Sequence, residues 1–275
     1  MFEYIIQRAL EEDLGTIGDI TTDCIIGDQR IKFEVNAREE LIVSGMLFIS
    51  DLANVLHKED ISFYHMEVDG TPVKSGTCLL RGEGSASKIL SVERVLLNFI
   101  QRASGISSLT RQFVEIIHGT NAIIRSTRKT CPGLRKFDLY AVHVGGGESF
   151  RTGLFDGVLI KDNHIASCSG ISECVHKVRE KLGNVVILVE CDTTEQVEES
   201  ILNNVDTVML DNMSLDNIKK SVSIVNSRAK IEVSGGINLN NVRPIAECGV
   251  DYISVGCITN AVKCKDIGLD VIEQR

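Results

Sequence analysis

The chain has 275 residues, of which 43% are hydrophobic, 23 are glycine and only 3 are proline. This length and composition suit one large α/β domain, or a barrel with a smaller domain, and exclude extensive disorder. A net charge of −9 at pH 7 and a pI of about 5.2 exclude a general nucleic-acid-binding surface.

The first part of the chain is predicted to form an α+β domain with antiparallel strands, at residues 1–105. Apolar residues recur at helical spacing near the start, and alternating or glycine-separated apolar runs follow. In chain order, the predicted elements are a helix over 1–14, a polar turn region over 15–22, a strand over 31–37, a helix over 46–58, short strands within 61–90 and a buried helix over 93–104.

Two features of the whole chain indicate a cytoplasmic protein without membrane contact. The first residues lack the basic start and apolar core of a signal peptide, and no apolar run reaches the length of a membrane span. The nine cysteines are odd in number and contain no CxxC pair, so we expect free thiols. Cys131 and Cys191 fall near the candidate site described below, and we expect both to act as small apolar side chains.

Beyond residue 105 the pattern changes to short apolar runs, most of them about 21–34 residues apart, which is typical of βα repeats in a parallel sheet. The runs cover residues 122–124, 157–160, 185–189, 207–210, 231–233 and 252–255. We therefore predict an open α/β barrel of about six strands over residues 106–264. The tail, 265–275, is a candidate to pack back on the N-terminal domain.

Charged residues and glycines follow these runs at the predicted strand ends. In chain order they are Thr127-Arg128-Lys129, Lys161-Asp162-Asn163-His164, Glu190-Cys191-Asp192, Asp211-Asn212, Ser234-Gly235-Gly236 and Gly256. Because α/β barrels build their active sites at the carboxyl ends of the strands, these residues are predicted to meet in one active site.

A basic segment lies within this acidic chain. Residues 102–161 contain nine Arg and Lys against four Asp and Glu, a balance of +5. A local excess of positive charge in an acidic protein indicates a pocket for a small anion. The alternative is that these are ordinary solvated side chains.

The types of residue at the strand ends indicate a reaction class. Arg128 and Arg151 can bind carboxylate or phosphate with two hydrogen bonds, and Lys129 and Lys161 supply point charges. Glu190 and Asp211 can hold Mg²⁺ through water and ribose hydroxyls. Together they suit transfer of a sugar from a pyrophosphate leaving group. The alternative for the two carboxylates is internal salt bridges with the same Lys and Arg.

Glycines near the last strands favour phosphate binding. Ser234, Gly235, Gly236 and Gly256 allow close approach of backbone N–H groups to an anion. The triplet Gly145-Gly146-Gly147 follows a predicted helix at 136–144, so it is not a dinucleotide-binding motif, and we expect it to form a loop that delivers Arg151.

Other kinds of site are disfavoured. A structural hydrogen-bonding role is favoured for His164, because no second His or Cys stands at zinc-ligand spacing. The sequence has neither a Ser/His/Asp triad pattern nor a P-loop, and we expect no organic prosthetic group.

Several segments carry a resemblance to a known family. They are EDLG at 12–15, GDITT at 18–22, NFIQRASGI at 98–106, TRKTCPGLR at 127–135 and VLIKDNH at 158–164. In these segments, and along nearly its whole length, the chain resembles the quinolinate phosphoribosyltransferases, which are carboxylating nicotinate-nucleotide pyrophosphorylases. The resemblance implies an N-terminal α/β sandwich domain followed by an open α/β barrel.

The resemblance also implies a reaction and an assembly. Quinolinate and phosphoribosyl pyrophosphate would give nicotinate mononucleotide, pyrophosphate and CO₂ with Mg²⁺, in de novo NAD biosynthesis. A homodimer or a higher oligomer is implied, because Arg102 would reach the quinolinate carboxylates of the neighbouring subunit.

The resemblance assigns the remaining roles residue by residue. Arg128 and Arg151 would hold the quinolinate carboxylates, and Lys129 and Lys161 would face the phosphoribosyl substrate and its pyrophosphate. Glu190 and Asp211 would hold the ribose and, indirectly, the metal. The 5′-phosphate would be bound by Ser234, Gly235, Gly236 and Gly256.

One position departs from the family pattern. The family usually has a His immediately before the Arg that aligns with Arg151, and here Phe150 stands in its place. A Phe can stack on a pyridine ring but donates no hydrogen bond. Two alternatives therefore stay open: a related phosphoribosyl or glycosyl transferase with another acid as substrate, and an inactive binding paralogue.

Overall fold

A computed structural model describes residues 2–56 and 61–274 of the chain. The chain forms two compact units, each built from separate stretches of sequence. The first unit comprises Met1–Arg111, Cys131–Gly145 and Val262–Arg275, and the second comprises Gln112–Thr130 and Gly146–Ala261. The sequence-based division into 1–105, 106–264 and a returning tail stays a prediction.

The helices alternate with strands along most of the described chain. In chain order they are α1 (Glu3–Leu14), α2 (Ile20–Ile25), α3 (Met46–Val55), α4 (Ala86–Ile116), α5 (Arg135–Val144), α6 (Asp162–Ala166), α7 (Ile171–Leu182), α8 (Thr194–Leu202), α9 (Leu215–Val225), α10 (Val242–Ala246) and α11 (Cys257–Asn260).

The strands form an antiparallel group at the two ends of the chain and a parallel group between them. In chain order they are β1 (Arg30–Ala37), β2 (Leu41–Ile42), β3 (Ile61–Met66), β4 (Pro72–Val73), β5 (Cys78–Ser85), β6 (Ile123–Ser126), β7 (Glu148–Ser149), β8 (Val158–Ile160), β9 (Ile187–Cys191), β10 (Thr207–Asp211), β11 (Lys230–Ser234), β12 (Tyr252–Ser254) and β13 (Ile267–Gln274).

The first unit contains a four-stranded antiparallel sheet in the order β13-β1-β5-β3, and β2 pairs with β4 in a separate two-stranded sheet. Strand β1 alternates between buried and more exposed side chains, because one face of the sheet packs on the core. The C-terminal strand β13 pairs along β1, with Ala37 opposite Ile267. The antiparallel α/β architecture predicted for the N-terminal part is confirmed.

The sequence misplaced several element boundaries in this unit. Helix α2 begins inside the predicted turn region, because Asp19 caps it by accepting the backbone N–H of Thr22 at 3.0 Å. Helix α3 ends at Val55, and residues 57–58 of its prediction lie outside the described residues. Helix α4 begins at Ala86, inside the region predicted to contain short strands, because β5 already ends at Ser85. It does not end at Ser104 but continues to Ile116, because Gly105 stays helical. A side chain at Gly105 would strike the backbone of Lys263, so the glycine marks close packing, not a helix end.

An aromatic cluster explains why the segment 131–145 belongs to the first unit. Phe137 of α5 is fully buried, and its ring lies 5.1 Å from Phe99 and 5.6 Å from Phe2. Phe48 stacks on Phe99 at 4.1 Å. These ring contacts attach α5 to α3 and α4, although α5 lies in sequence between strands of the second unit.

The second unit contains a seven-stranded sheet, among the described residues, in the order β7-β6-β12-β11-β10-β9-β8. Every pair in it is parallel. The predicted open α/β barrel is confirmed, and each of the six predicted runs becomes a strand. The seventh strand, β7, was missed because it is only two residues long and carries no apolar run.

Two observations concern the chain as a whole. No helix among the residues that the structure describes is both long and apolar enough to cross a membrane. The nine cysteines are all free thiols.

Candidate active site

The second unit contains a cavity of about 360 Å³ at the carboxyl ends of its strands. Seven of the predicted site residues form part of its wall: Arg128, Lys129, Arg151, Lys161, Glu190, Asp211 and Ser234. The other lining residues are Ser126, Thr127, Phe150, Leu159, Met209, Glu232 and Ser254. The sheet therefore brings together side chains that lie more than a hundred residues apart in sequence.

The parallel arrangement of the strands accounts for this convergence. Asp211 and Ser234 are the last residues of β10 and β11 and stand opposite each other in the register of the two strands. Lys161 directly follows β8, and Arg128 follows β6 after one intervening residue. Because all the strands run in the same direction, their last residues emerge at one edge of the sheet.

Lys161 and Glu190 form an ion pair across neighbouring strands, from Nζ to Oε2. Glu190 is mostly buried, whereas the side chain of Lys161 is 42% exposed. The internal salt bridge that the sequence offered as an alternative is therefore present for Glu190. Lys161 is also among the residues that line the cavity, so the pair places its cation at the cavity wall.

Two arginines stand close together in the same cavity. Burial lowers the pKa of the Arg151 guanidinium, and the positive charge of Arg128 lowers it further. Arg151 Nη1 donates to the carbonyl oxygen of Gly157 at 3.1 Å, which fixes the side chain. Like charges held together in a partly buried site favour an anion that neutralises both of them.

The loop after β7 is folded by one carboxylate. Asp156 accepts the backbone N–H and the hydroxyl of Thr152 at 2.7 and 2.6 Å, and the N–H of Gly153 at 3.1 Å. The hydroxyl bond from Thr152 is the largest cause that lowers the pKa of Asp156. The loop therefore has a defined shape, and it begins with the two cavity residues Phe150 and Arg151.

Asp211 is oriented by the residues around it. The side-chain amide of Asn212 donates to Asp211 Oδ2 at 2.7 Å, and the Asn212 backbone N–H donates to the carbonyl of Ser234 at 3.0 Å. A Cβ at Gly235 would lie 2.7 Å from that backbone nitrogen, and Gly235 has a φ of 90°. Only glycine fits both conditions, because an L side chain is strained at this φ and has no room.

The remaining predicted glycines lie close to this edge of the sheet. Gly236 also has a positive φ, of 61°. Gly256 directly precedes α11, and a Cβ placed there would lie 3.5 Å from Lys129 Cδ. Backbone at Gly256 is therefore in van der Waals reach of a cavity residue.

Arg102 lies in the first unit, where it binds Asp138. Its Nε and Nη2 donate to the two carboxylate oxygens at 2.8 and 2.7 Å. Asp138 is fully buried, and its hydrogen bond to Arg102 is the main cause that raises the pKa of the guanidinium. Arg102 also lines a cavity of about 450 Å³ together with Tyr4, Arg8, Asn98 and Phe99.

The two cysteines and the histidine discussed above have structural contacts. The backbone N–H of Cys131 donates to Asp138 at 3.0 Å. Burial raises the pKa of the Cys191 thiol to about 12, so it stays protonated near neutral pH and is a poor nucleophile. His164 Nδ1 accepts the backbone N–H of Lys161 at 2.9 Å, which confirms the expected structural hydrogen bond.

Several residues of the cavity wall were not predicted from the sequence, and one of them carries a charge. Glu232 was treated as part of an apolar run, although a lone carboxylate two residues before Ser234 falls on the same face of the strand. Ser254 was missed for the same reason. Phe150, the position that departs from the family pattern, does line the cavity.

An open parallel sheet whose carboxyl ends converge on a cationic cavity defines an α/β-barrel enzyme with an anionic substrate. The models of the "Quinolinate phosphoribosyl transferase" N-terminal and C-terminal domains match residues 19–104 and 106–270. The chain therefore belongs to the quinolinate phosphoribosyltransferase family.

Relatives and solved structures agree with this assignment. A probable carboxylating nicotinate-nucleotide pyrophosphorylase of Bacillus subtilis is 41% identical over 261 residues, covering 94% of this chain and 90% of the relative. The chloroplastic enzyme of that name from Arabidopsis thaliana is 38% identical, covering 97% and 82%. The crystal structure of a nicotinate-nucleotide pyrophosphorylase from Ehrlichia chaffeensis has a TM-score of 0.97 and 52% identity, covering 99% of each chain.

Proposed function

We propose that this protein transfers the phosphoribosyl group of phosphoribosyl pyrophosphate to quinolinate, giving nicotinate mononucleotide, pyrophosphate and CO₂ in de novo NAD biosynthesis. The observation that carries the proposal is the cavity itself, where four cationic side chains meet two carboxylates at the strand ends. The family and the names of its members support the same reaction. We also propose that it acts in the cytoplasm.

The cationic residues match the charges of the two substrates. Arg128 and Arg151 bind the quinolinate carboxylates, since a planar guanidinium pairs with a carboxylate through two hydrogen bonds. Lys129 and Lys161 face the pyrophosphate. Positive charge placed where the leaving group gains negative charge stabilises the transition state more than the ground state.

The carboxylates match the part of the substrate that becomes positive. As the bond to pyrophosphate breaks, C1 of the ribose acquires oxocarbenium character. Glu190 and Asp211 stabilise that charge and hold the ribose. The hydrogen bond from Asn212 keeps the Asp211 carboxylate in one orientation.

The donor set fits a Mg²⁺ ion that arrives with the substrate. The described residues contain no group of three or more His, Cys, Asp and Glu side chains that could hold a metal by themselves. Mg²⁺ commonly keeps several waters and is held by one or two carboxylates and substrate phosphates. Glu190 and Asp211 are the residues that would hold it, and the ion would neutralise pyrophosphate charge. We propose no organic prosthetic group.

Backbone at the last strands suits the 5′-phosphate. Ser234 lines the cavity, and the positive φ values of Gly235 and Gly236 turn the chain immediately after it. Ser234, Gly235, Gly236 and Gly256 thus form the phosphate-binding element in this proposal, because glycines let backbone N–H groups approach an anion closely.

The proposal includes an assembly of at least two chains. Arg102 belongs to the first unit, whereas the cavity belongs to the second. We propose a homodimer, or a higher oligomer of such dimers, in which Arg102 of one subunit contacts quinolinate bound to the other. Its bidentate pair with Asp138 would hold the guanidinium in place for that contact.

Formation of nicotinate mononucleotide by the purified protein, with quinolinate, phosphoribosyl pyrophosphate and Mg²⁺, tests the proposal. Lys161→Met should lower kcat/KM by about 100- to 1000-fold, because it removes a cation aimed at the leaving group. Lys177→Met is the matched control, since Lys177 is an exposed residue of α7 paired with Glu173 at 3.1 Å. Wild-type protein that is folded but makes no product would refute the proposed function.

A further inference from the structure

The floor of the cavity contains a buried charged cluster that the roles above do not use. Glu232 Oε2 accepts a hydrogen bond from Arg125 Nη1 at 3.0 Å, and Glu232 Oε1 accepts one from the hydroxyl of Ser254 at 2.5 Å. Glu232 is among the residues that line the cavity, and it is only 1% exposed. Its side chain therefore lies at the floor of the space that a substrate would fill and has almost no contact with bulk water.

Arg125 is held from several sides. Its guanidinium carbon lies 3.1 Å from the ring centre of Tyr252 and 5.9 Å from that of Phe150. A second carboxylate, Glu148, lies 3.9 Å from Nη2. Arg125 Nε is buried without a hydrogen-bond partner among the described residues. An unsatisfied buried donor costs free energy, and an apolar side chain at this position would not incur that cost. Arg125 thus fixes the position of the Glu232 carboxylate.

Packing does not require a charge at position 232. Met209 stands directly opposite Glu232 on β10 and lines the same cavity with an apolar side chain. Buried ion pairs contribute little net stability, and apolar residues of similar volume often replace them without loss. The cluster is better explained by an interaction with what the cavity binds.

The chemistry of a carboxylate limits that interaction. Each oxygen of Glu232 accepts one hydrogen bond from the protein, and a carboxylate has about four acceptor positions. Phosphates and carboxylates of the substrates would be repelled. The main hydrogen-bond donors that quinolinate and phosphoribosyl pyrophosphate offer near neutral pH are the ribose hydroxyls.

We propose that Glu232 is a further substrate-binding residue, which accepts a hydrogen bond from a ribose hydroxyl of phosphoribosyl pyrophosphate. Arg125 is the positioning residue for its carboxylate. This inference rests on the proposed function, because it takes the ribose from that reaction. It predicts that loss of Glu232 affects one substrate and not the other.

Two variants test the inference, and they remove the carboxylate in different ways. Glu232→Gln keeps the shape of the side chain and removes the charge. The double variant Arg125→Met, Glu232→Leu removes both charges, so no unpaired charge is left buried. Lys230→Met is the matched control, because Lys230 lies on the same strand in an exposed pair with Asp251 at 2.6 Å.

The readouts are KM for each substrate and the affinity for phosphoribosyl pyrophosphate alone, measured by titration calorimetry with Mg²⁺. Both variants should weaken binding of phosphoribosyl pyrophosphate by about 10- to 100-fold, the range for a hydrogen bond to a charged group. KM for quinolinate should stay close to that of the wild type, and Lys230→Met should change neither value.

Two results would overturn the inference. One is normal affinity for phosphoribosyl pyrophosphate in either folded variant, and the other is an equal loss for both substrates. A purely structural pair would lower the melting temperature of Glu232→Gln, and the double variant would bind normally. The titration needs no turnover, so wild-type protein that binds phosphoribosyl pyrophosphate but forms no product would refute the proposed function and not the role of Glu232.

Discussion

We expect Phe150 to contribute to the preference of the cavity for a substrate. It lines the cavity beside Arg151, and it is the only aromatic residue among the described residues of the wall. Its ring tip packs close to Gly157, where a Cβ would lie 3.2 Å from Cζ. A flat apolar surface beside two guanidinium groups suits a flat aromatic acid, whose ring stacks while its carboxylates pair with arginine.

Substitution of Phe150 should act mainly on quinolinate. Phe150→Leu keeps an apolar side chain but removes the aromatic face, and we expect KM for quinolinate to rise about two- to tenfold, the range for one aromatic pair. Phe150→His keeps a ring and adds a donor, so its KM for quinolinate should not exceed that of the wild type. Steady-state kinetics with each substrate varied in turn provide the measurement. An unchanged KM in Phe150→Leu would show that the ring does not contact quinolinate.

The close packing of α5 against α4 depends on a glycine, Gly145, where the two helices meet. Gly145 ends α5 with an ordinary helical backbone, so its need for glycine is purely steric. A Cβ there would lie 2.6 Å from Thr110 Cβ and 2.7 Å from the carbonyl oxygen of Ser107, both on α4. The two helices could not approach as they do if residue 145 carried a side chain.

Gly145→Ala should therefore destabilise the protein. Overpacking of a tight contact typically costs about 1–3 kcal/mol, and we expect the melting temperature to fall accordingly. Gly27→Ala is the control, because Gly27 is exposed and the nearest atom to its Cβ would be Gln29 Oε1 at 3.7 Å. Thermal unfolding followed by circular dichroism compares the two variants. Equal melting temperatures would mean that α4 and α5 can separate without cost.

The elements that the sequence predicted best are those whose pattern is local. Each of the six apolar runs of the parallel sheet became a strand, because buried parallel strands are apolar on both faces. Strand β7 was missed because its two residues pair only through the neighbouring β6. The end of α4 was misplaced because Gly105 serves a contact with Lys263, which is 158 residues away and invisible to any local pattern.

Some residues of the cavity wall could be predicted from the sequence and others could not. Charges that directly follow an apolar run, such as Lys161 and Asp211, were found because strand ends face the active site in this fold. Glu232 was missed because it stands inside a run, where its neighbours are apolar. The pair between Arg102 and Asp138 depends on where α5 packs, which the ring contacts of Phe137 determine and the sequence does not reveal.

At the scale of the whole molecule, the proposed sharing of Arg102 between subunits makes a quantitative prediction. Arg102→Ala should greatly raise KM for quinolinate or abolish activity, and Lys161→Met should be nearly inactive. In a mixed dimer, one of the two sites would contain both native residues. Mixed dimers formed by co-expression of the two variants should therefore show about half of the wild-type activity per site, because one of their two sites is intact in a symmetric dimer.

The complementation is measured with doubly tagged, purified mixed dimers, so that neither parent contributes. Mixed dimers without activity, although each chain is folded, would place Arg102 and Lys161 in the same subunit's site. An active Arg102→Ala parent would exclude a role for Arg102. Asp138→Asn is a useful additional variant, because it weakens the hydrogen bonds that position Arg102 and leaves the positive charge of Arg102 unchanged.

The cavity is proposed to couple phosphoribosyl transfer to loss of a carboxyl group, and the choice of acceptor tests this coupling most directly. Purified protein with phosphoribosyl pyrophosphate and Mg²⁺ is given either quinolinate or nicotinate, and released pyrophosphate and CO₂ are both quantified. We expect the two arginines that line the cavity to pair with two carboxylates, so we predict equimolar pyrophosphate and CO₂ from quinolinate and no reaction with nicotinate. Pyrophosphate release with nicotinate, or release from quinolinate without CO₂, would contradict the account.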